Sequence, residues 1–206
     1  MGEQAADADR GRDLERLLTF IDAVVAIAMT LLVLPLVELT NDVSARESVA
    51  DLLRHHQPQI WSFLLSFAVI SRLWFAQHYS FSHVLYTHKR VASLLVFWSL
   101  TIVFLPFPTA LVARAGDQAT TKILYIGTIL VSTIALAVID RTVIANPQIT
   151  DGDGLPDFGA AVMNAGLLAL ALVISLVFPA TSYFPLLLLF LDPPLRVALR
   201  RVRRRI

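Results

Sequence analysis

The stretch Arg16-Leu-Leu-Thr-Phe20-Ile-Asp22-Ala-Val-Val-Ala-Ile27-Ala-Met-Thr30-Leu31-Leu-Val-Leu34-Pro-Leu36 decides how this chain folds. It places a carboxylate and a threonine inside an apolar run long enough to cross a membrane. A charge at that depth is costly, so the position implies a partner and a role. At about 100° per residue, Ile27, Leu31 and Leu34 fall within about 60° of one another, with Thr30 on the edge of the same stripe. Asp22 lies about 140° from Ile27. A helix that turns Ile27 toward a central axis therefore turns Asp22 into its own neighbouring helices, which makes the carboxylate structural. Leucine stripes usually pack a bundle or face lipid, but rings of branched apolar side chains in an oligomer can also close a pore by dewetting. On this reading Val25 is a lipid-facing position.

The rest of the chain is of the same kind. Hydrophobic residues make up 56% of the 206 and charged residues only 16%, which is the composition of a polytopic membrane protein. Cysteine is absent, so disulfides, thiolate metal ligands and thiol nucleophiles play no part. The polar leader 1–15 runs straight into a full-length apolar span. A cleaved signal peptide has a shorter apolar core and a small-residue cleavage site, so the first helix reads as retained.

Windows of about twenty apolar residues predict transmembrane helices near 17–39, 59–79, 91–113, 121–144, 159–179 and 181–199. The organisation that follows is a cytoplasmic polar N-terminus at 1–16, a six-helix membrane domain at 17–199 and a basic cytoplasmic tail at 200–206. Arg10, Arg12, Arg16, Lys89, Arg90, Arg141 and the arginines from Arg196 onward share one side, against Arg46, Arg54, Arg114 and Lys122 on the other. That asymmetry predicts a multi-pass cell-membrane protein with both termini cytoplasmic. Directly after a span, the arginine-rich tail reads as a topology anchor touching anionic membrane lipid and not as a nucleic-acid site.

The second helix carries Ser62, Ser66, Ser71, Arg72, Trp74, Gln77 and His78, polar groups that need partners inside a bundle. Trp74 and His78 are four apart and share a face. They can both reach Asp22, or both sit in an interfacial aromatic belt. In the third helix Pro106 and Pro108 remove amide donors and free carbonyls that need a neighbour, water or an ion. Asp151-Gly-Asp153-Gly opens like a calcium loop but lacks the third acidic position and the closing glutamate, so it reads as a turn without metal. His55 and His56 lie in a charged loop.

The first-helix string resembles the signature of the transmembrane protein 175 family of potassium channels: a basic residue, three spacers and Phe-Ser-Asp, then an Ala-Ile-Ala-x-Thr-Leu-Leu-Val-Leu run. Here it stands as Arg16, Phe20, Ile21, Asp22 and Ala26 to Leu34. Trp74, His78 and Leu105-Pro-Phe-Pro-Thr-Ala-Leu111 are similar to the family's second and third helices. The resemblance implies an all-α, six-helix, single-repeat bacterial-type subunit that assembles as a homotetramer, the first helix of each subunit lining a central pore. It implies that Ile27 forms the tightest constriction, that Leu31 and Leu34 form further gate rings, and that Thr30 supplies a hydroxyl layer involved in selectivity. It also implies a polar network of Arg16, Phe20, Asp22, Trp74 and His78 holding the first helix to its neighbours. Ile21 departs from the family serine and removes one hydroxyl from that network.

The function expected is passive, potassium-preferring cation conduction with a hydrophobic gate, no cofactor, and potassium and other monovalent cations as the permeant partners. No Thr-Val-Gly-Tyr-Gly-like filter string occurs, so modest selectivity is expected. The alternative is a proton-coupled secondary transporter or a proton-conducting channel using Asp22 and His78, although no repeat of broken helices in two halves accompanies them. An enzyme is not expected: no His-Glu-x-x-His, nucleophile elbow or intramembrane carboxylate pair is present.

Overall fold

The computed structural model describes residues 2–39, 48–86, 89–150, 156–178, 183 and 186. The elements are α1 (Gly2–Leu31), α2 (Leu34–Glu38), α3 (Val49–His55), α4 (Gln57–Phe81), α5 (Lys89–Phe104), α6 (Pro106–Ala115), α7 (Ala119–Ile144) and α8 (Phe158–Val177), with one turn of 3-10 helix at Pro147–Ile149. Among the described residues the only β pairing is an isolated bridge between Val84 and Thr150. Among the described residues five stretches are long and apolar enough to cross a membrane: Asp9–Glu38, Gln57–Phe81, Lys89–Ala115, Ala119–Ile144 and Phe158–Val177. They correspond to the first five predicted spans. The sixth, 181–199, lies outside the described residues apart from Tyr183 and Leu186, and so do the 200–206 tail and the Asp151–Asp153 turn. The first helix starts much earlier than expected, at Gly2. The leader contains no proline to stop it, and its alanines, arginines and glutamates favour helix.

Element boundaries follow from proline and capping chemistry. α2, α4 and α6 each carry proline in their first two positions, where the missing N–H would have no intrahelical acceptor anyway. Ser48 caps α3 by accepting the Asp51 N–H at 3.2 Å, and Asp157 caps α8 by accepting that of Ala160 at 3.1 Å. At the break between α5 and α6 the carbonyl of Ile102, which Pro106 cannot serve, accepts the Leu105 N–H at 3.2 Å instead. Four residues on, Thr109 Oγ1 lies 2.8 Å from the Leu105 carbonyl and 2.8 Å from Ser66 Oγ on α4, which in turn is 2.8 Å from the Tyr125 hydroxyl on α7. This buried hydroxyl chain ties α4, α6 and α7 together at the kink.

α7 carries apolar residues on every side and lies at the centre, packed against α4, α5, α6 and α8. It buries Tyr125, Ile126, Ile129, Leu136 and Ile139. α1 packs mainly on α5, and also touches α4 and α6. Its contact face is Leu14, Ile21, Val25, Ala28 and Leu32, all buried. The expectation that Val25 faces lipid is therefore corrected: Val25 is 2% exposed and belongs to the core. It stands about 160° from Ile27, on the side that α5 covers.

Successive spans run in opposite directions, and short contacts fix both ends of the bundle. At the end carrying the N-terminus, Leu85 N–H donates to the Ile149 carbonyl at 2.8 Å, and the Tyr86 hydroxyl donates to the Gln148 carbonyl. At the opposite end Arg114 bonds Glu38 at 3.3 Å. Lys122, which the sequence reading placed among the charges of that side, is instead buried, and its Nζ donates to the Ser175 carbonyl at 3.3 Å. A cation on the last-turn carbonyls of α8 is favourable for the helix dipole.

Candidate functional site

The feature that stands apart is the face of α1 that no helix of its own subunit covers. Phe20, Ile27, Leu31 and Leu34 are 58%, 59%, 43% and 55% exposed, while Ile21, Val25, Ala28 and Leu32 on the other side are 0 to 2% exposed. The exposed arc also contains Arg16, Thr19, Ala23, Ala26 and Thr30. Small residues at 23 and 26 between the bulky ones make Ile27 the first large apolar side chain on the arc after Phe20. Thr30 donates its hydroxyl hydrogen to the Ile27 carbonyl at 2.7 Å, one residue from the Ala26 carbonyl that back-bonding at four residues would use. With the hydrogen turned to the backbone, the oxygen keeps its lone pairs free for a cation.

Behind this face sits the carboxylate. Trp74 Nε1 donates to Asp22 Oδ1 at 2.8 Å across α4 and α1, so the indole reaches Asp22 and anchors the covered side of α1. His78 lies against the Trp74 ring, with centroids 5.8 Å apart, and is exposed. Among the described residues neither His78 nor Arg16 bonds Asp22, and Arg16 is exposed. Phe20 is on the exposed arc, away from the carboxylate. Of the five residues expected in one network, the subunit brings together Asp22 and Trp74, with His78 stacked beside the indole. Ile21 is fully buried among apolar neighbours.

Arg72, one of the second-helix polar groups expected to need a partner, donates from Nη2 to Asn164 Oδ1 at 3.5 Å across α4 and α8. Asn164, and Asp140 buried near the end of α7, were not singled out from sequence. A charge one turn from the end of an apolar run looks like an anchor in sequence, which hid Asp140 and Lys122. Among the described residues no group of three or more His, Asp or Glu side chains is placed to hold a metal.

Residues 16–106 match the family model described as the endosomal/lysosomal potassium channel TMEM175. The matched segment is a little under half of the chain, and over it the chain is similar to that family. The TMEM175 segment takes in Arg16 to Leu34, Trp74 and His78, and runs to the proline that opens α6. Among solved structures the chain is similar to a lysosomal potassium-selective channel TMEM175 homolog from Chamaesiphon minutus, at 24% identity and a TM-score of 0.71, covering 88% of this chain and 97% of that one. That likeness is one of fold. No curated protein sequence matches the chain. The TMEM175 family and this structural neighbour are ion channels and not enzymes.

Proposed function

We propose that the chain is one subunit of a homotetrameric, potassium-preferring cation channel that conducts passively through a central pore lined by α1. The observation that carries the reading is the bare apolar arc of α1, with Ile27, Leu31 and Leu34 exposed and the opposite face locked into the subunit by α5 and the Asp22–Trp74 bond. In a closed ring of identical subunits this arc meets itself around the axis. Branched side chains there form stacked apolar constrictions that exclude water until they are widened. The match of residues 16–106 to a potassium channel family model and the fold shared with a potassium-selective channel homolog support the same assignment. Both termini are assigned to the cytoplasm on the Lys/Arg asymmetry.

The deciding experiment is potassium flux from liposomes holding the purified protein under a potassium gradient. Dissipation without any co-substrate or proton gradient is expected. Flux that requires a coupled proton gradient assigns a carrier instead.

The assembly is expected to have four times the subunit mass in native detergent, measured by native mass spectrometry or light scattering. A monomer that conducts ends the pore assignment, because one subunit supplies only one copy of the arc.

Thr30→Val keeps shape and volume and deletes the oxygen. Hydroxyls around an axis replace part of a cation's hydration, and potassium is the easier of the two ions to dehydrate. The expected result is a lower potassium-to-sodium permeability ratio with the assembly intact, read from reversal potentials under bi-ionic conditions. An unchanged ratio reduces Thr30 to its bond with the Ile27 carbonyl.

A further inference from the structure

A cleft of about 290 Å³ opens between α4, α7 and α8, toward the end of the bundle that carries the N-terminus, and the conduction reading does not use it. Its polar lining has both signs: Arg72 from α4, Asp140 from α7, Asp157 at the start of α8 and Asn164 nearly two turns into α8. Its walls are apolar, and two of the lining aromatics, Phe75 and Tyr79, are 64% and 65% exposed, so the cleft is entered from the lateral surface. The charges are also ordered by depth. Arg72 stands about two and a half turns before the end of α4 at Phe81. Asp140 stands about one turn before the end of α7 at Ile144, and Asp157 caps α8. The cation is thus deep and the carboxylates are shallow.

We infer that this cleft binds the headgroup of a zwitterionic phospholipid carrying a primary ammonium, a phosphatidylethanolamine, with the phosphate toward Arg72 and the ammonium toward Asp140 and Asp157. In such a lipid the phosphate is nearest the glycerol, hence deeper, and the ammonium lies farther out, which is the order of charges in the cleft. Guanidinium is the side chain best suited to phosphate in a partly desolvated site. A primary ammonium offers three N–H donors to carboxylates, and a quaternary choline group offers none. The exposed apolar rim leaves room for acyl chains alongside α4 and α8. The inference concerns a lateral site away from α1 and stands whether or not the α1 arc conducts.

The test is native mass spectrometry of the delipidated, assembled protein offered equal amounts of phosphatidylethanolamine, phosphatidylcholine and phosphatidylglycerol. Retention of the ethanolamine lipid over the choline lipid by about tenfold is expected, the scale of one charge-assisted hydrogen-bond set. Asp140→Asn should erase that preference, and Arg72→Gln should lower retention of all three lipids. Ala161→Trp fills the cleft from α8 without removing any charge, and it should block retention even if Arg72→Gln fails to assemble. Equal retention of the ethanolamine and choline lipids by the unaltered protein overturns the inference, as does undiminished retention in Ala161→Trp. Displacement of bound lipid by soluble phosphoethanolamine alone would assign the cleft to a free zwitterion and overturn the lipid assignment.

Discussion

Ile27→Asn is expected to raise resting potassium flux in liposomes by about tenfold or more, the factor that follows from removing roughly 1.4 kcal/mol of a dewetting barrier. Ile27 is 59% exposed on a face with no partner from its own subunit. An amide repeated around the axis supplies donors and acceptors that hold water in the constriction. Ile27→Ala widens the ring without wetting it and should give a smaller increase of the same sign. The control cannot be Val25, which is buried against the core, so a polar residue there would disturb folding before conduction. Leu170→Ala on α8, 51% exposed on a different helix, should leave resting flux unchanged. If Ile27 and Leu170 variants behave alike, the pore stripe has been assigned to the wrong face.

Asp22→Ala should reduce the yield and thermal stability of the assembled protein far more than it changes ion preference. A multiply partnered buried carboxylate would carry about 3–5 kcal/mol on removal of one partner. Here the carboxylate is half-buried, and among the described residues its hydrogen bond comes from the Trp74 indole alone. A single hydrogen bond to a charged group implies about 1.5–3 kcal/mol. Trp74→Phe should therefore cost a similar amount, and the double variant should cost little more than either single one. Thermal unfolding followed by size-exclusion chromatography reads both. A stable Asp22→Ala assembly with altered potassium-to-sodium preference would place the carboxylate in the pore.

The first five spans were legible because length and hydropathy alone decide whether a helix can cross a membrane, and prolines at 35, 58 and 106 mark where the ladder is interrupted. The contrast between Ile27 and Asp22 was legible because helical periodicity is independent of which neighbour covers each face. What periodicity does not say is how wide the covered face is. Val25 is as apolar as Ile27, and only the position of α5 makes one buried and the other bare. Phe20 illustrates the same limit: it is two residues from Asp22 in sequence, yet points about 160° away from it. Arg72, Asp140 and Asn164 lie on three different helices and share a cleft only because α7 brings α4 and α8 together, which no spacing within the chain encodes.

The two hydroxyls on the bare arc of α1 are already spoken for. Thr19 donates to the Glu15 carbonyl at 2.8 Å and Thr30 to that of Ile27 at 2.7 Å, and between Arg16 and Glu38 the arc carries no charge, since Asp22 is turned inward to Trp74. A single newly inserted subunit can thus rest in the bilayer with this face against acyl chains and no polar group left wanting water. Assembly of the proposed tetramer need not accompany synthesis: subunits can be inserted one at a time, diffuse laterally and join later. Their joining gains no hydrogen bond from these threonines and depends on how well the apolar surfaces pack against one another.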